Sequence, residues 1–154
     1  MKTFFKTLAI LMVASIASFA EPFSNVCNEN NSDGSVGMPM KSCTIDNLTN
    51  YTLIVNGSRF MIDTYQTVTY NGESFGLRLY VTNTVPEYNP IMALAQNAFA
   101  TRAPLHIIYV NPAVTNIINA DYLNNKNCGI NRNNDGTPAY MHCPIQSFTI
   151  FSQN

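Results

Sequence analysis

Alternating hydrophobic and polar positions predict β-strands over much of the chain. In the run 75–81 every second residue is apolar, which is typical of a strand that buries one face. The other β-rich runs are shorter or less regular, and they lie at 51–55, 59–65, 67–70, 105–110 and 145–151. Asn-Gly pairs at 56–57 and 71–72 mark tight hairpin turns. The pattern therefore predicts an antiparallel sheet.

A helical pattern interrupts these strands from Asn89 to about Arg102. Asn89 can cap a helix, Pro90 suits the first helical position, and Pro104 ends the helix. The predicted packing stripe consists of Ile91, Leu94, Ala95, Ala98 and Phe99. For residues 112–125 a short helix and a strand extension both stay open. Polar loops are predicted at Glu29–Pro39 and at 124–135.

This order of elements indicates a mainly β domain with one principal helix. We expect an OB-fold, an antiparallel barrel of five to six strands with the helix inserted after the third or fourth strand. Barrels of this class bind oligosaccharides or oligonucleotides.

Composition narrows these two ligand classes to one. Charged residues make up only 11 % of the chain, against about 25 % in typical soluble proteins, and 21 of the 154 residues are asparagine. Nucleic-acid binding and polybasic membrane binding need many Lys and Arg residues, so both are disfavoured. Amides, hydroxyls and tyrosine rings instead match the hydroxyls and apolar faces of neutral sugars.

The first twenty residues predict export. Lys2 and Lys6 precede the apolar stretch 8–17, and small residues occupy the positions that signal peptidase reads. We expect a Sec signal peptide at 1–20, cleavage after Ala20, and secretion of a single domain at 21–154 through the periplasm. A retained membrane anchor is the alternative interpretation.

The four cysteines all lie in the predicted mature chain. An even number of cysteines in an exported protein indicates disulfides, here two, and three pairings are possible. The similar short spacings favour Cys27–Cys43 and Cys128–Cys143, and a long Cys27–Cys128 bridge stays open as the second choice.

No sequence motif indicates catalysis or a bound metal, and we expect no enzymatic activity and no cofactor. His106 lies in a predicted strand, where a polar cross-strand neighbour is the simpler interpretation. His142 adjoins Cys143, and oxidation of that cysteine removes a Cys/His nucleophile. Asp33-Gly34-Ser35 lacks the further ligands of a calcium loop and is interpreted as a turn.

The predicted helix and its neighbours resemble the B subunits of bacterial one-A-five-B toxins, over about residues 65–152. Segment 89–110 is similar to the helix-plus-strand unit of the pertussis-like branch, with its Pro-Met-type start, an Ala-x-Phe in the helix and a Pro-Leu entry to the strand. Segment 70–79 is similar to the hairpin and Phe-led strand that precede the helix in the cholera-like branch. A late cysteine and an Asn-rich turn follow in both, here at 128–134.

The resemblance implies an OB-fold subunit of a homopentameric ring. Such rings bind host cell-surface glycans and deliver a catalytic A subunit, which docks through a central pore lined by the five helices. Host glycans, an A subunit and further copies of the chain are therefore the expected partners, without nucleic acid.

Two differences from the cholera-like branch affect the expected sugar-binding pocket. The cholera-like branch stacks galactose on a tryptophan where this chain has Ile130, and its acidic sugar ligand corresponds to Arg78. The same pocket is therefore not expected, and Arg78 could instead bind the carboxylate of a sialylated glycan. The candidate glycan-binding residues, chosen by loop placement and family layout, are Arg78, Tyr80, Asn83, Tyr88, Asn131 and Arg132.

Two other function classes stay open. One is a secreted or periplasmic OB-fold module that binds or inhibits a protein partner. The other is a small secreted hydrolase whose site carries no recognisable motif.

Overall fold

The computed structural model describes residues 24–26 and 42–150, and this part of the chain forms nine strands, one α-helix and one 3-10 helix. The strands are β1 (Ser24–Val26), β2 (Ser42–Leu48), β3 (Thr52–Asn56), β4 (Arg59–Tyr70), β5 (Glu73–Thr82), β6 (Leu105–Val110), β7 (Ile118–Asn119), β8 (Gly129–Arg132) and β9 (Pro138–Ile150). Helix α1 spans Tyr88–Thr101, and the 3-10 helix spans Ala120–Tyr122. The predicted signal peptide, the loop Glu29–Pro39 and Cys27 lie outside the described residues.

The strands form one curled sheet in the order β1-β2-β6-β9-β5-β4-β3, with β7 and β8 attached beside β9. Strands β2 and β3 follow each other in the chain, but they lie near opposite ends of the sheet, because β2 pairs with β6 and β3 pairs with β4. The sheet therefore curls into a half-barrel that brings these ends together. Helix α1 connects β5 to β6. This confirms the predicted fold class, a mainly β, OB-fold-like domain with one helix.

The sheet is larger and less uniform than the predicted antiparallel barrel. Strands β5 and β9 are parallel, with Gly76 opposite Tyr140 and Tyr80 opposite Pro144, and the short pair β7–β8 is also parallel. On its other side β9 pairs first with β8 and then with β6, antiparallel in both cases. One strand therefore joins both parts of the sheet.

The core lies on the concave face of the sheet and under the helix. Alternate residues of β5, namely Phe75, Leu77 and Leu79, are fully buried there, as the sequence pattern predicts. The helix contributes Ile91, Ala95 and Ala98. Each large apolar side chain that leaves water stabilises the fold by about 1.5–3 kcal/mol.

The helix differs from the prediction at its start and on its flanks. It begins at Tyr88, and Glu87 occupies the N-cap position without a side-chain hydrogen bond, so Asn89 is not the cap. Leu94 and Phe99 of the predicted stripe are 42 % and 54 % exposed. The small Ala95 and Ala98 side chains face the core, and the larger residues beside this narrow stripe remain partly in solvent.

Several strand boundaries also differ. The predicted strands 59–65 and 67–70 form one long strand, β4, which has an irregular register between Asp63 and Thr67. Strand β8 lies in the predicted Asn-rich loop, and β9 begins well before 145. The open segment 112–125 contains only a two-residue strand and the 3-10 helix. The four residues of β8 are too few and too polar to show the apolar alternation that reveals a strand.

The predicted disulfide Cys128–Cys143 is confirmed, and both cysteines are fully buried. It joins the residue before β8 to β9 and excludes the alternative Cys27–Cys128 pairing. A bridge across 15 residues stabilises a fold by about 3 kcal/mol through loss of unfolded-state entropy. Cys43 is also disulfide-bonded.

We predict that Gly129→Ala destabilises the protein by about 1–3 kcal/mol, the usual range for overpacking. A Cβ atom at Gly129 would lie 2.8 Å from Leu123 Cδ2 and 2.9 Å from the Cα atom of Ala120. Urea unfolding measures the change, and Ser74→Ala, at an exposed position of β5, serves as the control. A Gly129→Ala variant as stable as the control would show that this packing is loose.

Candidate functional site

A cleft lies beside the β7–β8 pair, and we call it the edge cleft. Its volume is about 460 Å³. The lining residues are Ile117, Ile118, Asn119, Asp121, Ile130, Asn131 and Arg132. Three isoleucines give it an apolar part, whereas two amides, one carboxylate and one guanidinium give it polar groups. It therefore offers hydrogen-bond donors and acceptors next to an apolar surface.

The 3-10 helix beside the cleft is fixed by side chains from two directions. The Asn119 side chain accepts a hydrogen bond from the backbone N–H of Asp121 at 3.0 Å. From β4, the Arg59 guanidinium donates to the carbonyl oxygen of Asp121 at 2.6 Å and to that of Ala120 at 3.4 Å. Because Gly129 has no side chain, Ala120 also packs directly against β8. The cleft wall is thus positioned before any ligand arrives.

Two predicted site residues, Asn131 and Arg132, meet in this cleft. Arg132 donates to both carboxylate oxygens of Glu73 and, at 3.0 Å, to the carbonyl oxygen of Gly136. The hydrogen bond from Arg132 lowers the pKa of the exposed Glu73 carboxyl. Asn131 is exposed, and among the described residues its side chain makes no hydrogen bond.

Tyr80, another predicted site residue, has 0 % of its surface exposed and belongs to the interior. Its hydroxyl donates to the carbonyl oxygen of Asn127 at 2.9 Å and accepts from the backbone N–H of Asn125 at 3.2 Å. Burial raises the pKa of Tyr80 to about 12. The residue anchors the segment after β7 to the sheet, and no surface remains for a sugar to contact.

Arg78 is committed to contacts within the protein. Its Nε atom donates to Asp63 Oδ2 at 2.9 Å, and its guanidinium carbon lies 3.3 Å from the centre of the Tyr140 ring. Gly76 leaves room for this ring, because a Cβ atom there would lie 3.0 Å from two Tyr140 ring carbons. Arg78 therefore braces β4 against β9.

The remaining two candidates lie on the connection from β5 to α1. Asn83 is exposed, and its backbone N–H donates to the carbonyl oxygen of Ser58 at 2.8 Å. Tyr88 is the first residue of α1 and packs, half-buried, against the core. Neither lines the edge cleft.

Sequence reasoning missed the opposite wall of the cleft, which is formed by Asn119, Asp121 and the isoleucines 117 and 118. The available signal was Asn119-Ala120-Asp121, since Asn two residues before an acidic residue is typical of a short helix start. This signal lies in segment 112–125, where the sequence is compatible with both a short helix and a strand extension. The parallel pairing of β7 with β8 places this segment next to Asn131.

The two histidines differ in environment. His106 contacts Asp46 through its Nδ1 atom, in keeping with the expected polar neighbour. His142 is only 6 % exposed, and neither ring nitrogen has a hydrogen-bond partner. Burial, followed by the charges of Arg78 and Arg59, lowers the pKa of His142 to about 4, while Asp63 opposes the shift.

The described part of the chain contains no group of three or more His, Cys, Asp or Glu residues arranged to hold a metal ion. No helix in residues 42–150 is long and apolar enough to cross a membrane.

In comparisons with known proteins, the chain matches no family model, no curated protein and no solved structure.

We predict that His142 makes the protein less stable in acid. The folded-state pKa lies near 4 and the unfolded one near 6.5, so below pH 6.5 only the unfolded state gains the proton. The free energy of unfolding should then fall by up to about 3 kcal/mol between pH 6.5 and 4 through this group alone.

Urea unfolding of the wild type and of His142→Met tests this prediction. The difference between the two free energies should change steadily from pH 6.5 to 4. Above pH 7.5 it should be constant, because His142 is then neutral in both states, and this range is the internal control. A constant difference over the whole range would contradict the prediction.

Proposed function

We propose that the chain is a secreted, non-catalytic B subunit of the one-A-five-B toxin type, which binds host cell-surface glycans through the edge cleft. The observation that carries the proposal is the free polar side chains of Asp121 and Asn131 beside an apolar wall. The resemblance places glycan contacts in this late Asn-rich region, and the strand–helix–strand order around α1 agrees with the same family layout.

The chemistry of the cleft suits a sugar. The Asn131 amide offers donors and an acceptor that can contact adjacent hydroxyls, and the Asp121 carboxylate accepts from hydroxyl groups. Isoleucine side chains pack against the apolar C–H face of the ring. The charge of Arg132 is compensated by its ion pair with Glu73. The cleft therefore suits the hydroxyl groups of a glycan better than an acidic substituent.

Ring assembly would compensate for weak single sites. Five copies on one face engage several surface glycans together, and such multivalency raises the apparent affinity by about 10²–10⁴. In this proposal α1 faces the central pore, where a catalytic A subunit docks. Exposed Leu94 and Phe99 then become contacts with neighbouring copies or with the A subunit.

A second candidate, a module that binds a protein partner, is favoured by a separate depression beside the end of α1. It is lined by Thr49, Asn50, Tyr51, Phe99, Ala100 and Arg102. Phe99 contacts the Tyr51 ring edge-on with 5.8 Å between the ring centres. An exposed aromatic side chain in a depression is typical of a contact with another protein.

Two measurements on the secreted chain decide between the candidates. Light scattering after size exclusion should give five times the mass of one chain, and a glycan array should show binding. A monomer without glycan binding would contradict the B-subunit proposal and favour the protein-binding module.

A pair of asparagine variants tests the edge cleft itself. Asn131→Ala removes the free amide and should weaken glycan binding at least fivefold, about 1 kcal/mol for one hydrogen bond. Asn97→Ala removes an exposed amide from α1 and should leave binding to a monovalent sugar unchanged. Equal affinities for the two variants would show that the sugar binds elsewhere.

A further inference from the structure

Tyr65 adopts an unusual backbone conformation in the middle of a strand. Its φ angle is 54°, in the left-handed region. It lies in the irregular part of β4, where the three residues 64–66 oppose the single residue Leu77 of β5. Left-handed conformations cost L-residues other than glycine about 1–2 kcal/mol, and asparagine and aspartate tolerate them better than aromatic residues do.

Two side chains hold this bulge by hydrogen bonds to its backbone. Asp63 Oδ1 accepts from the N–H of Tyr65 at 3.2 Å. Thr64 Oγ1 accepts from the N–H of Gln66 at 3.2 Å and donates to the carbonyl oxygen of Leu77 at 2.8 Å. Both side chains are buried, so their hydrogen bonds hold the backbone of the bulge in this conformation.

Asp63 is in turn fixed by the ion pair with Arg78, which lies on the Tyr140 ring. The support for the bulge thus extends across three strands, from β4 through β5 to β9. Bending the strand does not require a tyrosine at position 65, because glycine or asparagine would form the same bulge with less strain. The supports therefore indicate that the tyrosine side chain itself has a role at this position.

The bulge brings the Tyr65 ring to the surface, where 59 % of the residue is exposed. The hydroxyl is hydrogen-bonded to Thr52 Oγ1 at 2.5 Å. The ring is therefore anchored at its tip and at its backbone, and little conformational entropy remains to be lost when a ligand covers its face.

Neutral hydroxyl groups continue from Tyr65 along the same face of the sheet. Thr67 and Thr69 are exposed at alternate positions of β4, and Ser74 lies opposite Thr69. The register Thr67–Gly76–Tyr140–Asn131 places these four residues in one row across four strands. This row runs from the neighbourhood of Tyr65 to the edge cleft.

We infer that Tyr65 is a stacking platform for a sugar ring, and that the anchored ring and the exposed hydroxyls of Thr67, Thr69 and Ser74 form a second glycan subsite. The ring face would pack against the apolar C–H groups of the sugar, while Thr67 would hydrogen-bond to its hydroxyls. This inference rests on the proposed glycan-binding function and extends it to a longer oligosaccharide.

The test compares variants of the secreted chain by calorimetric titration with lactose, sialyllactose and chitotriose. Tyr65→Asn removes the ring but suits the left-handed backbone. We expect a melting temperature equal to or above that of the wild type and at least tenfold weaker binding of the sugar that the wild type binds. Tyr65→Phe keeps the ring and should retain affinity within about threefold, about 0.7 kcal/mol.

Val55→Ala, which shortens another exposed apolar side chain of the sheet, is the control and should bind these monovalent sugars as the wild type does. Wild-type affinity of Tyr65→Asn, together with weakened binding by Asn131→Ala, would overturn the platform and leave the edge cleft standing. No binding of any glycan by the wild type would overturn both.

Nuclear Overhauser contacts in the wild type make the result independent of the variants' folding. Sugar C–H protons should show contacts with the ring protons of Tyr65. Contacts with the edge cleft alone would overturn the platform.

Discussion

The pairing of β9 with three other strands holds this molecule together. Its first half lies between β5 and β8, and its second half pairs with β6, so the two parts of the curled sheet share one strand. The buried disulfide from Cys143 to Cys128 fixes the chain entering β8 to the same strand. Because β5 and β6 flank the helix connection, this pairing also fixes where α1 lies over the core.

The two faces of this sheet have different roles. On the inner face, apolar side chains at alternate positions supply the burial that stabilises the fold. On the outer face, the same alternation places polar groups whose partners come from neighbouring strands, as with Asp63, Arg78 and Tyr140. Polar groups in such a low-dielectric position must be paired to avoid a cost of about 1–3 kcal/mol each. Arg78 is consequently a brace rather than a free ligand for a carboxylate.

The sequence predicted the fold class, the hairpins and the disulfide because local signals determine them. Asn71 and Gly72 both have positive φ angles, as the Asn-Gly pair indicates. The site was predicted less completely. Asn131 and Arg132 do meet in a cleft, but their neighbours Asn119 and Asp121 approach through a parallel pairing that no local pattern reveals. Tyr80 was predicted as a site residue but is buried. The alternation of a strand shows which residues lie on its polar face, but it does not show which of them a distant loop will cover.

The bulge at Tyr65 determines where the exposed Thr67 and Thr69 of β4 lie relative to the neighbouring strands. With regular pairing after Asp63, Thr67 would lie opposite Ser74 instead of Gly76. Because this shift is two residues, Thr67 and Thr69 would keep their face of the sheet, but Thr67 would leave the row that it forms with Tyr140 and Asn131. The bulge thus sets which residue of β4 joins the outer row, and it also orients the tyrosine ring. A surface low in charge can be specific only through fixed geometry, because amides and hydroxyls attract ligands weakly at a distance. The strain at Tyr65 and the supports beneath it supply that geometry.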